Sequence, residues 1–168
     1  MSFRLAAYAV CIENGRVLVA HHVPDEGEPN WTLPGGRVEH AEDPFDAVLR
    51  ELAEETGCHG VVERLLGVDS RVIPADVAHA GVEHQNVGIF YQVRVTGGRL
   101  RPEPNGATAE SIWTPIAEVA RLRRSSLVDV GLVWPCSSRQ PATSVLFRSV
   151  DCCSTEAMGV MVGGCGST

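Results

Sequence analysis

Three glutamates in the segment RELAEETG, Arg50 to Gly57, are spaced so that their carboxylates could act together. If this segment is a helix, Glu51, Glu54 and Glu55 project within an arc of about 100°, on one face. Like charges at this spacing destabilise a helix by roughly 0.2–0.5 kcal/mol per pair. The face is therefore either ordinary solvated surface or a binding place for a hard divalent cation, which takes carboxylate oxygens as ligands.

The flanking residues mark both ends of the predicted helix. Asp43 suits the N-cap, Pro44 suits the first helical turn, and Gly57 suits the left-handed position after the last turn. The apolar residues of the segment recur at helical spacing, about 120° away from the carboxylates. They are Phe45, Val48, Leu49 and Leu52. We therefore expect a helix that packs on a core with one side and presents acids on another.

Extended towards the N-terminus, the segment becomes GGRVEHAEDPFDAVLRELAEETGC, which resembles the Nudix box. The positions that match the pattern of this family are Gly36, Glu42, Arg50, Glu51, Leu52, Glu54, Glu55 and Gly57. Cys58 stands where the family usually has an aliphatic residue, a mild departure because a buried thiol behaves as a small hydrophobe. The resemblance implies an α+β fold of the Nudix type, an α/β/α sandwich with a mixed β-sheet.

The resemblance also implies a reaction, the hydrolysis of a nucleoside diphosphate linked to another group X. The products are a nucleoside monophosphate and phosphorylated X, and the cofactor is Mg²⁺ or Mn²⁺. The implied metal ligands are the carbonyl oxygen of Gly35 and the carboxylates of Glu51, Glu54 and Glu55. In the family, Arg50 and Glu42 would pair and tie the loop to the helix, with Asp46 as an alternative partner of Arg50.

A carboxylate must accept the proton of the attacking water. Glu54 is the first choice, because enzymes of the family commonly use a glutamate of the box. Some use a glutamate of a later loop instead, and Glu110 and Glu103 are the candidates, with Glu110 ahead. Glu39 is either an outer metal ligand or ordinary loop surface. The expected catalytic residues are Glu54, Glu51, Arg50 and Glu110.

The spacing of Pro74 from the box resembles the ADP-ribose pyrophosphatase-like subgroup, so ADP-ribose or another nucleotide sugar is the first expectation. A (d)NTP pyrophosphohydrolase is the alternative enzyme, and a non-catalytic nucleotide-binding regulator is the alternative from another class. Regulators of this fold usually lose glutamates of the box, and here all are present. Candidate substrate contacts are Trp31, Trp113, Arg37, Arg71, His21 and His22. Packing under the loop is favoured for the tryptophans, and solvated surface for the arginines.

Residues 1–135 are predicted to form one Nudix hydrolase domain, and residues 136–168 a flexible or atypical tail. Asn14-Gly15 predicts a tight hairpin, and the segment ending TGGRLRP predicts a second hairpin that turns at Gly97-Gly98. The segment ESIWTPIAEVARL predicts a strand that runs into a helix, and SSLVDVGLVW a last helix. The tail is rich in Ser, Gly and Cys without a regular period, and a shifted reading frame would look the same.

Composition excludes several function classes. The chain of 168 residues carries a net charge of −7, which disfavours a role in binding nucleic acid. No apolar run is long enough to span a membrane, and the first apolar run reads as a strand instead of a signal peptide. No CxxC pair indicates a zinc or redox site, so a reducing cytoplasm is expected. The expected partner is a small nucleotide substrate, and the sequence leaves open whether the protein forms a homodimer.

The composition of the tail generates the first prediction. A chain that ends at Ser137 should express, unfold cooperatively and retain near-normal turnover, because the motif and its flanking elements precede that residue. Urea unfolding and activity of the shortened and full-length chains, side by side, measure this. Aggregation or loss of cooperativity in the shortened chain would show that the last residues belong to the core.

Overall fold

Two β-sheets and two α-helices build the part of the chain that the structure describes. The computed structural model describes residues 1–24, 28–76, 78, 81–104 and 106–136. In chain order the elements are β1 (Ser2–Val10), β2 (Ile12–Glu13), β3 (Arg16–His22), β4 (Asn30–Thr32), β5 (Gly35–Arg37), α1 (Pro44–Thr56), β6 (Cys58–Ile73), β7 (His84–Gly98), β8 (Thr108–Pro115), a 3₁₀ helix (Ile116–Arg121) and α2 (Ser126–Cys136). The predicted tail lies outside the described residues, apart from its first residue.

The first sheet is mixed, with the strand order β5-β1-β7-β6. β1 pairs antiparallel with β5 and parallel with β7, and β7 pairs antiparallel with the long strand β6. In the second sheet, β3 pairs antiparallel with β2, β4 and β8. This arrangement confirms the predicted α+β class with a mixed sheet. Within the described ranges, no helix is both long and apolar enough to cross a membrane.

The strand β1 is buried on both faces. Successive side chains of a strand point to opposite sides, so a separate cluster packs on each face. On one side, Tyr8 packs in a cluster with Phe90 of β7 and Val128 of α2. On the other side, Ala7 packs in a cluster that contains Leu52 of α1. A helix therefore covers each side of the central strand, which is the predicted α/β/α layering.

Helix α1 has the ends that its sequence predicts. The Asp43 side chain accepts a hydrogen bond of 2.8 Å from the backbone N–H of Phe45, and Gly57 ends the helix with a φ of 74°. Val48 and Leu52 are fully buried, whereas Phe45 stays 44% exposed. The helix is thus fixed at both ends, and its buried stripe holds it against β1.

Asn14-Gly15 forms the predicted hairpin, with positive φ angles of 49° and 74° that match the favoured two-residue turn. The hairpin predicted at Gly97-Gly98 is wrong, because β7 ends at Gly98 and pairs with the preceding strand. Past Gly98 the chain runs along the end of α1, where the N–H of Arg101 donates to the carbonyl of Thr56 at 3.0 Å. Prolines that follow cannot donate to a strand ladder, which favours this course.

The two glycines with a φ of 74° generate the second prediction. An alanine Cβ at Gly15 would meet nothing within 4 Å, whereas at Gly57 it would lie 2.5 Å from the carbonyl oxygen of Arg99. Gly15→Ala should therefore cost only the backbone strain, about 1 kcal/mol of unfolding free energy, and Gly57→Ala clearly more. Urea unfolding measures both variants, with Gly97→Ala as a near-neutral control. Equal losses at the two positions would show that the close approach at Gly57 does not constrain the fold.

Candidate active site

Two glycines of β5 bring bare backbone against the carboxylates of α1. A Cβ on Gly36 would lie 2.6 Å from the carboxyl carbon of Glu51, and a Cβ on Gly35 would lie 2.7 Å from the Cα of Tyr8. The N–H of Gly35 donates to Glu55 Oε2 at 2.9 Å. Glycine at these positions therefore lets β5 and α1 approach closely enough to share a carboxylate cluster.

Arg50 binds the loop and two further carboxylates at once. Its Nε and Nη2 donate to the two carboxylate oxygens of Glu42, at 2.7 and 2.9 Å. Its Nη1 donates to Glu51 at 3.0 Å and to Glu54 at 2.9 Å, and its Nη2 also donates to the carbonyl of Arg37 at 3.1 Å. The planar fork of arginine suits such paired contacts. The loop before α1 is thereby fixed to the helix.

The partner of Arg50 is Glu42, and no hydrogen bond joins Asp46 to Arg50 in the part of the chain that the structure describes. The hydrogen bond from Arg50 lowers the pKa of Glu42 to about 2, helped by the N–H of Glu39, which donates to Glu42 Oε2 at 2.9 Å. In turn, Glu42 raises the pKa of Arg50. Both groups are therefore fully charged across the physiological range.

Glu51 and Glu55 lie in the opposite electrostatic situation. Burial raises the pKa of Glu55 to about 8, although the N–H of Gly35 partly stabilises its charged form. Burial likewise raises the pKa of Glu51 against the hydrogen bond from Arg50. The charges of Glu51 and Glu103 add to the shift of Glu55. Carboxylates are therefore gathered here in a partly dehydrated place.

These carboxylates open into a cleft of about 390 Å³. One wall consists of Gly35, Gly36, Glu51 and Glu55, and Glu103 joins them from the loop that follows β7. The side chain of Glu54 is 52% exposed and lies outside this lining, held by Arg50. The cleft therefore brings together most of the predicted metal ligands with one of the two later-loop glutamates.

Of four further polar lining residues, sequence reasoning identified only His22. They are Arg4 of β1, His22 of β3, and Asn30 and Thr32 of β4. His22 pairs with Asn30 across the two strands, so their side chains share a face. Burial and the charge of Arg4 lower the pKa of His22. The available signal in the sequence was the pair of polar residues at positions 30 and 32, which lie on one face of a strand, but no strand was predicted there.

Glu110 and Trp31 lie on the other face of the second sheet, so Glu110 is not in the cleft as expected for a catalytic residue and Trp31 takes the packing role favoured over a substrate contact. Both pair with His21, whose side chain points away from the face of its neighbour His22. Trp31 stacks on His21 with 4.7 Å between ring centroids, and Glu110 lies 3.9 Å from His21 Nδ1. The later-loop glutamate in the cleft is therefore Glu103, and Trp31 packs against the core.

The remaining candidates lie outside the cleft lining. Arg37 contributes its carbonyl to Arg50, while its side chain and that of Glu39 are exposed. Trp113 packs against the cluster under α1, as favoured from sequence. Arg71 lines a separate cleft of about 140 Å³. Exposed Pro74 follows the end of β6.

The donor set fits a hard divalent cation. Carboxylate oxygens are the preferred ligands of such ions, and burial raises the pKa values of Glu51 and Glu55 even though Arg50 and Arg4 favour the charged form of Glu51. In the side-chain conformations of the described residues, no three acidic, histidine or cysteine side chains converge on one point. Arg50 explains this, because it holds one oxygen each of Glu51 and Glu54. Turning these side chains from Arg50 towards Glu55 would complete the site.

The raised pKa of Glu55 generates the third prediction. The folded value is about 8 against an ordinary 4.5, so between these pH values the folded protein holds a proton that the unfolded chain has lost. Stability of the metal-free protein should therefore fall as the pH rises through this window. Glu55→Gln removes the effect and should stabilise the protein more at pH 8 than at pH 5.

Urea unfolding in a chelator at both pH values measures this difference. Glu118→Gln, which changes an exposed carboxylate of the 3₁₀ helix, is the control and should show no such difference. A Glu55→Gln effect that is the same at both pH values would contradict the assignment of a dehydrated carboxyl.

Comparisons with known proteins agree on one family. The model of the NUDIX domain matches residues 2–129. A Mycobacterium tuberculosis protein with the provisional name 8-oxo-dGTP diphosphatase 2 is 37% identical over 128 residues, which cover 68% of this chain and 86% of that protein. The human 8-oxo-dGDP phosphatase NUDT18 is 30% identical over 105 residues, 61% of this chain. The match covers only 29% of NUDT18, and 37% of a second M. tuberculosis relative provisionally named mutator protein MutT4.

Solved structures share the fold. The MutT NUDIX hydrolase of Burkholderia pseudomallei matches with a TM-score of 0.67 at 23% identity, over 80% of this chain and 98% of that one. The NUDIX domain of Shewanella oneidensis NrtR, solved with ADP ribose, matches with a TM-score of 0.63 at 19% identity, over 79% and 86%. With the family model spanning residues 2–129 and two box glutamates, Glu51 and Glu55, lining one cleft, the chain belongs to the Nudix family.

Proposed function

We propose that this protein is a divalent-metal-dependent pyrophosphohydrolase that cleaves a nucleoside triphosphate to the monophosphate and pyrophosphate. The observation that carries the reaction class is the pair of dehydrated carboxylates, Glu51 and Glu55, beside the bare backbone of Gly35 and Gly36 in one cleft. Nudix hydrolases generally use a divalent metal, and we propose Mg²⁺ as the ion here.

The proposed ligands are the carbonyl oxygen of Gly35 and the carboxylates of Glu51, Glu54 and Glu55. When bound, the ion neutralises phosphate charge and lowers the pKa of water. In the metal-free protein, Arg50 offsets the mutual repulsion of Glu51 and Glu54 by donating to one oxygen of each. Gly36 leaves room for the Glu51 carboxylate against the backbone.

In the proposed step, water attacks one phosphorus atom, the bond from that phosphorus to the bridging oxygen breaks, and a carboxylate takes the proton of the water. Glu54 was the first choice from sequence and stays a candidate. Glu103 gains support from its place in the cleft beside Glu55, and Glu110 loses it. The N–H of Thr108 donates to Glu103 Oε2 at 3.0 Å, which orients that carboxylate.

The choice of a triphosphate rests on the relatives. The M. tuberculosis relative that the match covers to 86% carries 8-oxo-dGTP in its provisional name. This support outweighs the spacing of the single residue Pro74, on which the expected ADP-ribose preference rested. ADP-ribose is the second candidate, because a structural neighbour with a TM-score of 0.63 was solved with that ligand.

Replacing the carboxylates generates the fourth prediction. Glu55→Gln and Glu54→Gln should each lower turnover at least about 100-fold while the protein stays folded, since both lie on the polar face of α1. Mg²⁺ should raise the melting temperature of the wild type and raise that of Glu55→Gln less. Glu63→Gln, which changes a carboxylate on the sheet away from the cleft, is the matched control.

The measurement is a panel of nucleoside triphosphates, 8-oxo-dGTP, ADP-ribose and nucleotide sugars, assayed with Mg²⁺ and with the products identified. Cleavage of triphosphates to monophosphate and pyrophosphate supports the proposal, and preferential cleavage of ADP-ribose supports the second candidate. Saturable nucleotide binding without turnover of any member would instead indicate a regulator.

The two later-loop glutamates generate the fifth prediction. Glu103 lines the cleft, whereas Glu110 lies beside His21 on the opposite face of the sheet. Glu103→Gln should lower kcat at least about 10-fold, because the cleft loses a carboxylate that can accept the proton of the attacking water. Glu110→Gln should change kcat less than about two-fold. A large loss of kcat in Glu110→Gln with little change in Glu103→Gln would identify Glu110 as the general base instead.

A further inference from the structure

Arg4 is a half-buried arginine whose charge is not matched by a partner. It lines the cleft of about 390 Å³, together with Glu51, Glu55 and Glu103. Its Nε is buried and makes no hydrogen bond to any described residue. In the described part of the chain it also forms no ion pair within 4.0 Å. A buried donor left without an acceptor is destabilising, and more so when it is charged.

The neighbouring position on the next strand repeats the pattern. Asn86 of β7 is the register partner of Arg4 in the parallel pair, so the two side chains share a face of the sheet. Its Oδ1 is also buried without a partner. Asn86 lines the separate cleft of about 140 Å³, so the sheet face that carries Arg4 holds two buried polar atoms without a partner among the described residues.

The charged groups that face Arg4 do not neutralise it. Glu51 gives a carboxylate oxygen to Arg50 at 3.0 Å, and Glu103 accepts a hydrogen bond from the backbone of Thr108. Burial and the charge of Arg4 both favour the neutral form of His22. Among the described residues, Arg4 is therefore a strong cation of the cleft lining without an ion-pair partner.

We propose that Arg4 is a substrate-binding residue that donates to a phosphate oxygen of the nucleotide and so sets the affinity for the phosphate chain. This inference rests on the proposed function, because it takes a phosphorylated substrate in the same cleft. A guanidinium presents its N–H groups in a plane that matches two phosphate oxygens. A phosphate supplies both the missing acceptor for Nε and the missing negative charge, whereas a neutral base edge would supply only the first.

The experiment compares Arg4→Gln, Arg4→Lys and the control Arg94→Gln. Arg94 is exposed on β7 and pairs with Glu63 at 3.0 Å, outside the cleft. The binding readout is calorimetric titration with inorganic pyrophosphate and Mg²⁺, which contains no base. We expect Arg4→Gln to weaken pyrophosphate binding about 10- to 100-fold, Arg4→Lys to weaken it less, and Arg94→Gln to leave it unchanged.

The kinetic readout is KM and kcat for the nucleotide that the wild type cleaves best. Arg4→Gln should raise KM by a similar factor, with kcat changed only a few-fold. If Arg4→Gln does not fold, a weakening by Arg4→Lys, which keeps the charge and loses the planar fork, serves as the supporting result. Unchanged pyrophosphate binding in Arg4→Lys would then overturn the proposal.

Other outcomes separate this inference from the proposed function. Unchanged pyrophosphate binding in a folded Arg4→Gln variant overturns the inference. A KM that rises for nucleotides of one base only would then indicate a contact of Arg4 with the base. An unchanged KM would indicate that water satisfies the guanidinium. A wild type without pyrophosphate binding also overturns it. Turnover of the panel with an unaffected Arg4→Gln variant sinks the inference and leaves the function standing. If the wild type binds pyrophosphate and this binding depends on Arg4, but no member of the panel is turned over, the inference stands and the proposed function fails.

Discussion

The double hydrogen bond between Arg50 and Glu42 is the contact on which the geometry of the site depends. The three-residue strand β5 is short, and the loop after it reaches α1 through this pair. The same guanidinium holds Glu51 and Glu54, so its loss would free the loop and leave carboxylates facing one another without a cation. Charge-assisted hydrogen bonds of this kind are stronger than neutral ones, and solvent screens them at the exposed edge of the site.

The cleft lowers the stability of the folded protein. Dehydrating Glu51 and Glu55 beside Glu103 raises the pKa of both box glutamates, which means that their charged forms are unfavourable in the folded chain. The two apolar clusters on either side of β1 hold the fold in spite of this. A site that binds a cation and a phosphate chain must hold acidic groups together without a neutralising partner until the ligand binds. This requirement is a common conflict between stability and function.

The second sheet decides which side chains reach the substrate. Along β3, adjacent histidines point to opposite faces, so His22 lines the cleft while His21 stacks on Trp31. The same alternation sends Asn30 into the cleft and Glu110 to the far face. A shift of register by one residue would exchange these sets, and the irregularity between His21 and His22 is where the strand reaches the rim of the cleft.

The sequence by itself determined the local features: the helix with its caps at Asp43 and Gly57, the Asn14-Gly15 turn, and the cluster of acids on one face of α1. Such features depend on neighbours within a few positions, which the sequence displays directly. Strand pairing in the folded chain put Glu103 instead of Glu110 into the cleft and placed Arg4 in the same lining as the carboxylates. Those assignments depend on strand pairing between segments far apart in the chain, and on which face each strand presents, neither of which residue spacing encodes.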